Sequence, residues 1–362
     1  MTDHEDHDRD SYSRYNRRRT AALVTLAAIM IVSAITTLKL DVGSIPIPDI
    51  VRILIDRDNP ANDASDVILI WNLYLPRIAC GILAGFGLGI AGTVMQCVLR
   101  NPLGSPYTLG ISNAAAFGAA LGIVLGGGAI VGQSSASVSF TNPYFITICA
   151  FLWSMIATGV IIALVKLTTV SAETMVLAGV AISSIFSAGI SALQYIFNDT
   201  ALSMIVFWQF GSLGKAGWEE LTIVAAVVLI ASAFFIWKRW DFNALESGAE
   251  VAQSLGIDVQ SLRLVSLLLS ALVTSVIVSF MGVIAFIGLL GPHMIRLAMG
   301  NDHRYLLPGS MLLGAIILLI SDCVGQTLLP FVLPVGIITS FLGGPLFLYL
   351  LVKGYRRKGA TA

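Results

Sequence analysis

Charge is what this sequence most lacks. Of its 362 residues only 12% are Asp, Glu, Lys or Arg, about half the share found in soluble domains. A chain of this length folded in water would need roughly two domains with charged surfaces, and the charge to coat them is missing. That excludes a soluble enzyme, a disordered chain and a nucleic-acid-binding protein. The 21 basic and 21 acidic residues cancel, so no global field draws in polyanions. Cysteine is scarce too. Cys80, Cys97, Cys149 and Cys323 each sit inside an apolar run, and none forms a Cys-x-x-Cys pair, so metal and redox motifs find no support. They read as small buried apolar residues.

What is present is 56% apolar residue, gathered into long runs. No charged residue occurs from Asn101 to Val165, a run of 65, or from Leu264 to Ile295, a run of 32; from Tyr305 to Val352 the only one is Asp322. A membrane-spanning helix takes about 20 mostly apolar residues, and continuous rather than alternating runs exclude a barrel. The expected fold is an all-α polytopic membrane protein with ten spans, at 21–38, 78–99, 107–125, 144–165, 174–196, 220–237, 264–281, 283–299, 307–329 and 335–352. As one helix the 264–295 run would be about 48 Å long, too long for a ~30 Å hydrocarbon core, so it is divided near Gly282. Asn101-Pro102, Gly126-Gly127-Gly128 and Asn142-Pro143 punctuate the second to fourth spans.

Ten spans put both termini on one side. Sixteen of the 21 basic residues then share that side, leaving only Lys39, Arg52, Arg57, Arg77 and Lys215 on the other. The positive-inside rule makes the richer side cytoplasmic. The expected organisation is a disordered cytoplasmic tail over 1–20, a ten-span domain over 21–353 and a basic cytoplasmic tail over 354–362. Residues 21–38 read as a retained span and not a cleaved leader. His4 and His7 belong to a solvated acidic stretch. Residues 39–76 form a long outer excursion and 238–263 a long inner one.

The inner excursion carries a small helix signal. Ser247 and Glu250 are spaced as a capping box, Gly256 is a stop, and Val251, Ala252 and Leu255 make a short apolar face. Such a face lies on the membrane or the bundle, or meets a partner. The second span is rich in small residues, Gly81, Gly85, Gly87, Gly89 and Gly92, which allow close backbone approach. It ends in Gln96, Arg100, Asn101 and Pro102. Asp322 is either an ion site or a hydrogen-bonded acid that fixes helix packing; packing is the preferred reading. His293 follows Pro292, which should kink its helix; with no second His or Cys near, a hinge role is preferred to metal ligation. The scattered methionines Met30, Met95, Met204, Met281, Met294 and Met299 read as packing. Residues 198–217 read as a short outer element whose Phe207, Trp208 and Phe210 either flank a bulky ligand or form an interfacial belt. No phosphate-binding G-x4-G-K-[ST] loop occurs: Gly214-Lys215 is followed by Ala216.

Jointly, these motifs resemble the FecCD/BtuC-like family, the permease subunits of type II ABC importers. The resemblance rests on Leu75-Pro-Arg through Gln96, Arg100-Asn-Pro-Leu-Gly-Ser-Pro-Tyr-Thr-Leu-Gly110, Trp208-Gln-Phe-Gly-Ser-Leu213 and Ala249-Glu-Val-Ala-Gln-Ser-Leu-Gly256. It continues through Gly282-Val-Ile-Ala-Phe-Ile-Gly-Leu-Leu-Gly-Pro-His293-Met-Ile-Arg296, Asp302-His-Arg304, Pro334-Val-Gly336 and Gly344-Pro-Leu346. It covers about residues 21 to 353.

The resemblance implies a permease homodimer in the lipid bilayer of the cell membrane. Cytoplasmic ATP-binding subunits would carry ATP and magnesium, and an extracytoplasmic binding protein would deliver cargo. It implies no catalysis by this chain and no nucleic-acid partner. The cargo is expected to be an iron–siderophore, with haem or cobalamin as the alternative. The implied ATPase-coupling residues are Ser247, Glu250, Val251, Ala252, Leu255 and Gly256. Gly92, Gln96, Asn101 and Pro102 would form the gate of the translocation pathway, and Arg52 and Arg57 would dock the binding protein. Arg77 and Lys39, at span boundaries, read as snorkelling side chains. The chain departs from the family with Val332 in place of a common Glu, Gln326 in place of a common Arg, and an altered Glu246-Ser-Gly-Ala. An ion-coupled secondary transporter would need several intramembrane ionisable groups. An intramembrane enzyme would need a paired nucleophile and base or a ligand cluster. Asp322 and His293 alone supply neither.

Overall fold

The computed structural model describes residues 2–43, 45–126, 143–167, 172–328 and 330–359, and every regular element among them is helical. In chain order these are α1 (Thr2–Val42), α2 (Ile47–Ile55), α3 (Ala64–Ile68), α4 (Leu75–Val98), α5 (Ile111–Gly126), α6 (Pro143–Leu167), α7 (Ala172–Ile196), α8 (Asp199–Gln209), α9 (Trp218–Trp237), α10 (Arg239–Ser247), α11 (Ala249–Ser254), α12 (Val259–Met281), α13 (Ile287–Met299), α14 (His303–Thr327) and α15 (Val335–Gly359). Among the described residues seven helices are long and apolar enough to cross a membrane, and three shorter apolar ones are Ile111–Gly126, Ile287–Met299 and Val335–Tyr349. In order they correspond to the ten expected spans.

Two boundaries differ from expectation. The backbone is helical from Thr2, ahead of position 21, because no Pro or Gly interrupts the chain before Gly43. The second span also starts early: α3 runs through a π-helical turn, Leu69–Tyr74, straight into α4, so the end of the outer excursion is helix. The 264–295 run divides where expected. Helix α12 stops at Gly282, and α13 resumes after Phe286, whose φ of 66° is left-handed. Gly127, Gly128 and Asn142 lie outside the described residues.

Helix α4 is the axis of the bundle. Within the continuous Ala64–Val98 helix 78% of the most apolar stretch is buried, against 11% for α1. It packs on α9, α12, α13 and α14, while α1 leans on α14, and α5 to α8 form a flank beside α12. The helix starts are set by local chemistry. Asn198 caps α8 through Ala201 N (2.9 Å), Asp258 caps α12 through Ser261 N (3.1 Å) and Asp302 caps α14 through Arg304 N (3.0 Å), each satisfying a backbone donor that the first turn leaves open.

The contacts sort the connecting segments into two ends. At one, Trp218 Nε1 donates to Trp71 O (2.7 Å) and Trp71 Nε1 to Ile53 O (3.1 Å), tying the outer excursion to the start of α9. At the other, Arg100 reaches Leu245 O (3.3 Å) and Asn243 reaches Asp302 (3.1 Å). Segments assigned to one face by span counting do meet in space.

Candidate functional site

The inner excursion folds as a bent platform. Helix α10 is anchored by Phe242 and Leu245, both fully buried. The chain then turns at Gly248, whose φ of 140° and ψ of 147° suit glycine alone. Helix α11 follows and ends at Gly256, φ 81°. The expected capping box does not form. Ser247 is the last residue of α10, its hydroxyl donating to Asn243 O (3.4 Å), and Gly248 is the N-cap of α11. The S-x-x-E spacing straddles two helices because the Gly248 bend intervenes. Ala252 is buried, whereas Val251 and Leu255 are 46% and 67% exposed and Glu250 is exposed. Beside them, Phe234, Lys238, Gly256, Ile257 and Val265 line a cleft of about 470 Å³. The platform therefore offers two apolar side chains and a cleft to whatever lies beyond this end of the bundle.

The platform is held to the bundle by Asp302, which receives hydrogen bonds from Asn243 and Arg304 and pairs with Arg304 at 2.7 Å. Burial opposes its ionisation, but the hydrogen bonds outweigh burial and hold its carboxyl down at about 2.

Of the gate candidates, Gly92 and Gln96 lie on one seam. A Cβ on Gly85 would overlap Ala315, on Gly89 the Ser310 carbonyl, and on Gly92 the Gly288 carbonyl. These positions, four and three residues apart, share one face of α4, so the glycine density serves backbone contact with α13 and α14. One turn further on, Gln96 Nε2 donates to Gly288 O (3.4 Å) and its Oε1 accepts from Arg296 Nη1 (2.9 Å). Asn101 is buried, its N–H on Gln96 O (3.1 Å) and its Oδ1 accepting from Leu103 N (2.9 Å). Pro102 stands apart and is exposed.

At the opposite end Arg77 does not snorkel. Its Nε and Nη2 donate to Asp322 Oδ2 and Oδ1, both at 2.8 Å, with the side chains 13% and 3% exposed. Gln326 Nε2 adds a hydrogen bond to Asp322 (3.1 Å), and Asp41 lies within electrostatic reach of Arg77 and Asp322. The intramembrane acid is thus half of a bidentate pair clamping α4 to α14, in line with the packing reading. Lys39 does not snorkel either: it donates to Gly43 O (3.1 Å) and Ile45 O (2.8 Å). Of the docking candidates, Arg52 is held locally by Asp49 (2.8 Å), Asn62 (2.9 Å) and Ala61 O (3.2 Å). Arg57 is exposed, over the Trp71 ring at 5.6 Å. In the 198–217 element Phe207 is 68% exposed, whereas Trp208 packs inward and Phe210 lies 6.1 Å from Phe207.

Among the described residues, ten apolar helices packed about α4, with a short helical platform bearing exposed apolar side chains at one end, are the build of a membrane transport subunit. The chain belongs to the FecCD transport family, which it matches over residues 27–353. It is 50% identical to a chain of Methanocaldococcus jannaschii described as an ABC transporter permease protein, over 80% of this chain and 83% of that one. It is 38% identical to the hemin transport system permease protein of Yersinia pestis, over 78% and 83%. Further relatives are named for molybdate, ferric citrate and cobalamin import. Among solved structures, an inward-facing conformation of a metal-chelate type ABC transporter superposes with a TM-score of 0.78 at 28% identity, covering 92% of this chain and 99% of that one. The protein is thus a multi-pass ABC permease of the cell membrane.

Proposed function

We propose that this chain is the membrane subunit of an ATP-driven importer for an iron chelate, a siderophore complex first. The platform is the observation that carries this reading: a chain without a phosphate-binding loop presents Val251 and Leu255 to a partner instead of to its own core. A cytoplasmic ATPase pair docks on α11, a binding protein delivers cargo at the Trp71–Trp218 end, and a second permease copy completes the pathway. ATP-driven closure of the ATPase pair moves α11, and the bundle changes the face to which it opens. Haem is the second reading, favoured by the 38% identity to the hemin permease. Uptake of radiolabelled ferric siderophores, haem, ferric citrate and cobalamin into vesicles reconstituted with permease, ATPase and binding protein tests both; accumulation of none of the iron complexes overturns the iron reading.

Two further outcomes are expected. Gly92→Leu should insert yet lose uptake, because no side chain fits against Gly288; Gly92→Ala alone should cost about 1–3 kcal/mol of stability by overpacking. Normal uptake by Gly92→Leu vesicles would take Gly92 out of the pathway. At the other end, Arg52→Glu with Arg57→Glu should slow association of the binding protein several-fold, most at low ionic strength. Arg57→Glu alone isolates the docking effect, since Arg52 also holds the excursion together. Association rates unchanged across a salt series would place docking elsewhere.

A further inference from the structure

Three side chains from distant parts of the sequence converge where α4 and α10 end and α14 begins. Cys97 Sγ, a carboxylate oxygen of Glu246 and a ring nitrogen of His303 all lie within 4.8 Å of one another. Cys97 and His303 are 1% and 0% exposed, while Glu246 is exposed and accepts a hydrogen bond from Asn301 Nδ2 (3.1 Å). The group is a buried pair with an exposed carboxylate at its mouth.

The state of the imidazole is fixed by its neighbours. Asn243 Oδ1 accepts the His303 backbone N–H (2.8 Å) and Asn243 Nδ2 donates to the Asp302 carboxylate (3.1 Å), so the amide has one orientation. The same Oδ1 lies 3.0 Å from His303 Nδ1. An amide oxygen only accepts, so Nδ1 holds the proton and Nε2 holds the lone pair. Phe242 packs on the ring at 5.8 Å. Nε2 is buried without a hydrogen-bond partner, an arrangement that costs free energy unless something fills it. An imidazole whose far nitrogen is held by an oxygen acceptor, leaving a bare nitrogen beside a thiol and a carboxylate, is the outer-shell arrangement of metal-ligating histidines.

Charge and size agree. A thiolate and a carboxylate match a divalent ion, and sulfur, nitrogen and carboxylate oxygen together suit zinc-type ions. Ligand atoms around such an ion sit about 3.5 Å apart, so closing the site needs a movement on the order of 1 Å, which the exposed Glu246 arm can supply. Arg296 lies within electrostatic reach of Cys97, Glu246 and His303 and is hydrogen-bonded through Nη1 to Gln96; the Cys97 thiol donates to Phe242 O (3.6 Å), and a bound ion would displace that proton.

The geometry points to Cys97, Glu246 and His303 as a binding site for a divalent transition-metal ion of the zinc class, with a fourth position open to solvent, fastening α10 to α4 and α14. Through Gly248, α10 leads directly into α11, so an occupied site would brake the platform. That consequence rests on the proposed importer function; the binding itself does not.

Co²⁺ is the probe. Titrated into the purified full-length chain, it should bind once per chain and produce a near-ultraviolet thiolate-to-cobalt charge-transfer band that Zn²⁺ displaces. Cys97→Ser should remove the band and Cys80→Ser should leave it. Glu246→Gln, at an exposed position, should keep the fold and weaken Co²⁺ binding by about tenfold or more. His4 and His7 bring no thiol, so binding there gives no such band. Absence of the band in the wild-type chain, its persistence in Cys97→Ser, or unchanged affinity in Glu246→Gln would each overturn the site. The last decides the matter if Cys97→Ser does not fold.

Discussion

Replacing Arg77 by methionine should destabilise the chain by about 3–5 kcal/mol, the usual cost of removing one member of a buried ion pair. The substitution leaves Asp322, 2% exposed, facing Asp41 with no cation between them. Asp322→Leu should cost less, because Arg77 keeps Asp41 within reach. Combining Arg77→Met with Asp322→Leu should recover most of the loss, since an apolar pair of similar volume replaces a desolvated ionic one without strain. Unfolding midpoints of the four proteins in one detergent check this. If the two single losses simply add in the double variant, the pair is not a coupled unit, and the helix contact between α4 and α14 rests on the glycine seam alone.

Leu255→Asp should weaken assembly with the ATPase roughly a hundredfold while leaving the permease intact. Leu255 is 67% exposed, so its own fold loses little. Burying a leucine contributes about 1.5–3 kcal/mol, and placing a carboxylate in the same contact adds an unpaired charge. A combined loss of about 3 kcal/mol lowers affinity roughly a hundredfold. Leu255→Met, which keeps the apolar volume, should be tolerated. Co-purification and cargo-stimulated ATP hydrolysis are the readouts, and full hydrolysis with Leu255→Asp would move the coupling surface away from α11.

The ten helices were legible because apolar length is a local signal, and the break at Gly282 followed from helix length against bilayer thickness. The platform was legible in outline, through Gly256 and the exposed Val251 and Leu255. Its cap was misread because spacing cannot show that Gly248 bends the chain between Ser247 and Glu250. Arg77 was misread for a different reason. Its partner lies 245 positions away, and a lone basic residue at a span end looks the same whether it reaches headgroups or a buried acid. Gln326, noted as a departure from the family, hydrogen-bonds Asp322, while α4 supplies the cation. The Cys97, Glu246 and His303 cluster has no sequence signal at all, since its members sit on three helices with no common spacing.

The glycine seam also limits how the bundle can work. Where α4 meets α13 and α14 the backbones touch directly, and no rotamer is available there to absorb a slide. These three helices are packed as one unit, fixed further by the Arg77–Asp322 clamp, and a slide of α4 along α13 or α14 would first have to part their backbones. The same close backbone contact recurs between α5 and α6, where a Cβ on Gly118 would overlap the Cys149 carbonyl, while beside it the rings of Phe117, Trp153 and Phe186 meet tilted or edge to face at 4.9 to 6.0 Å.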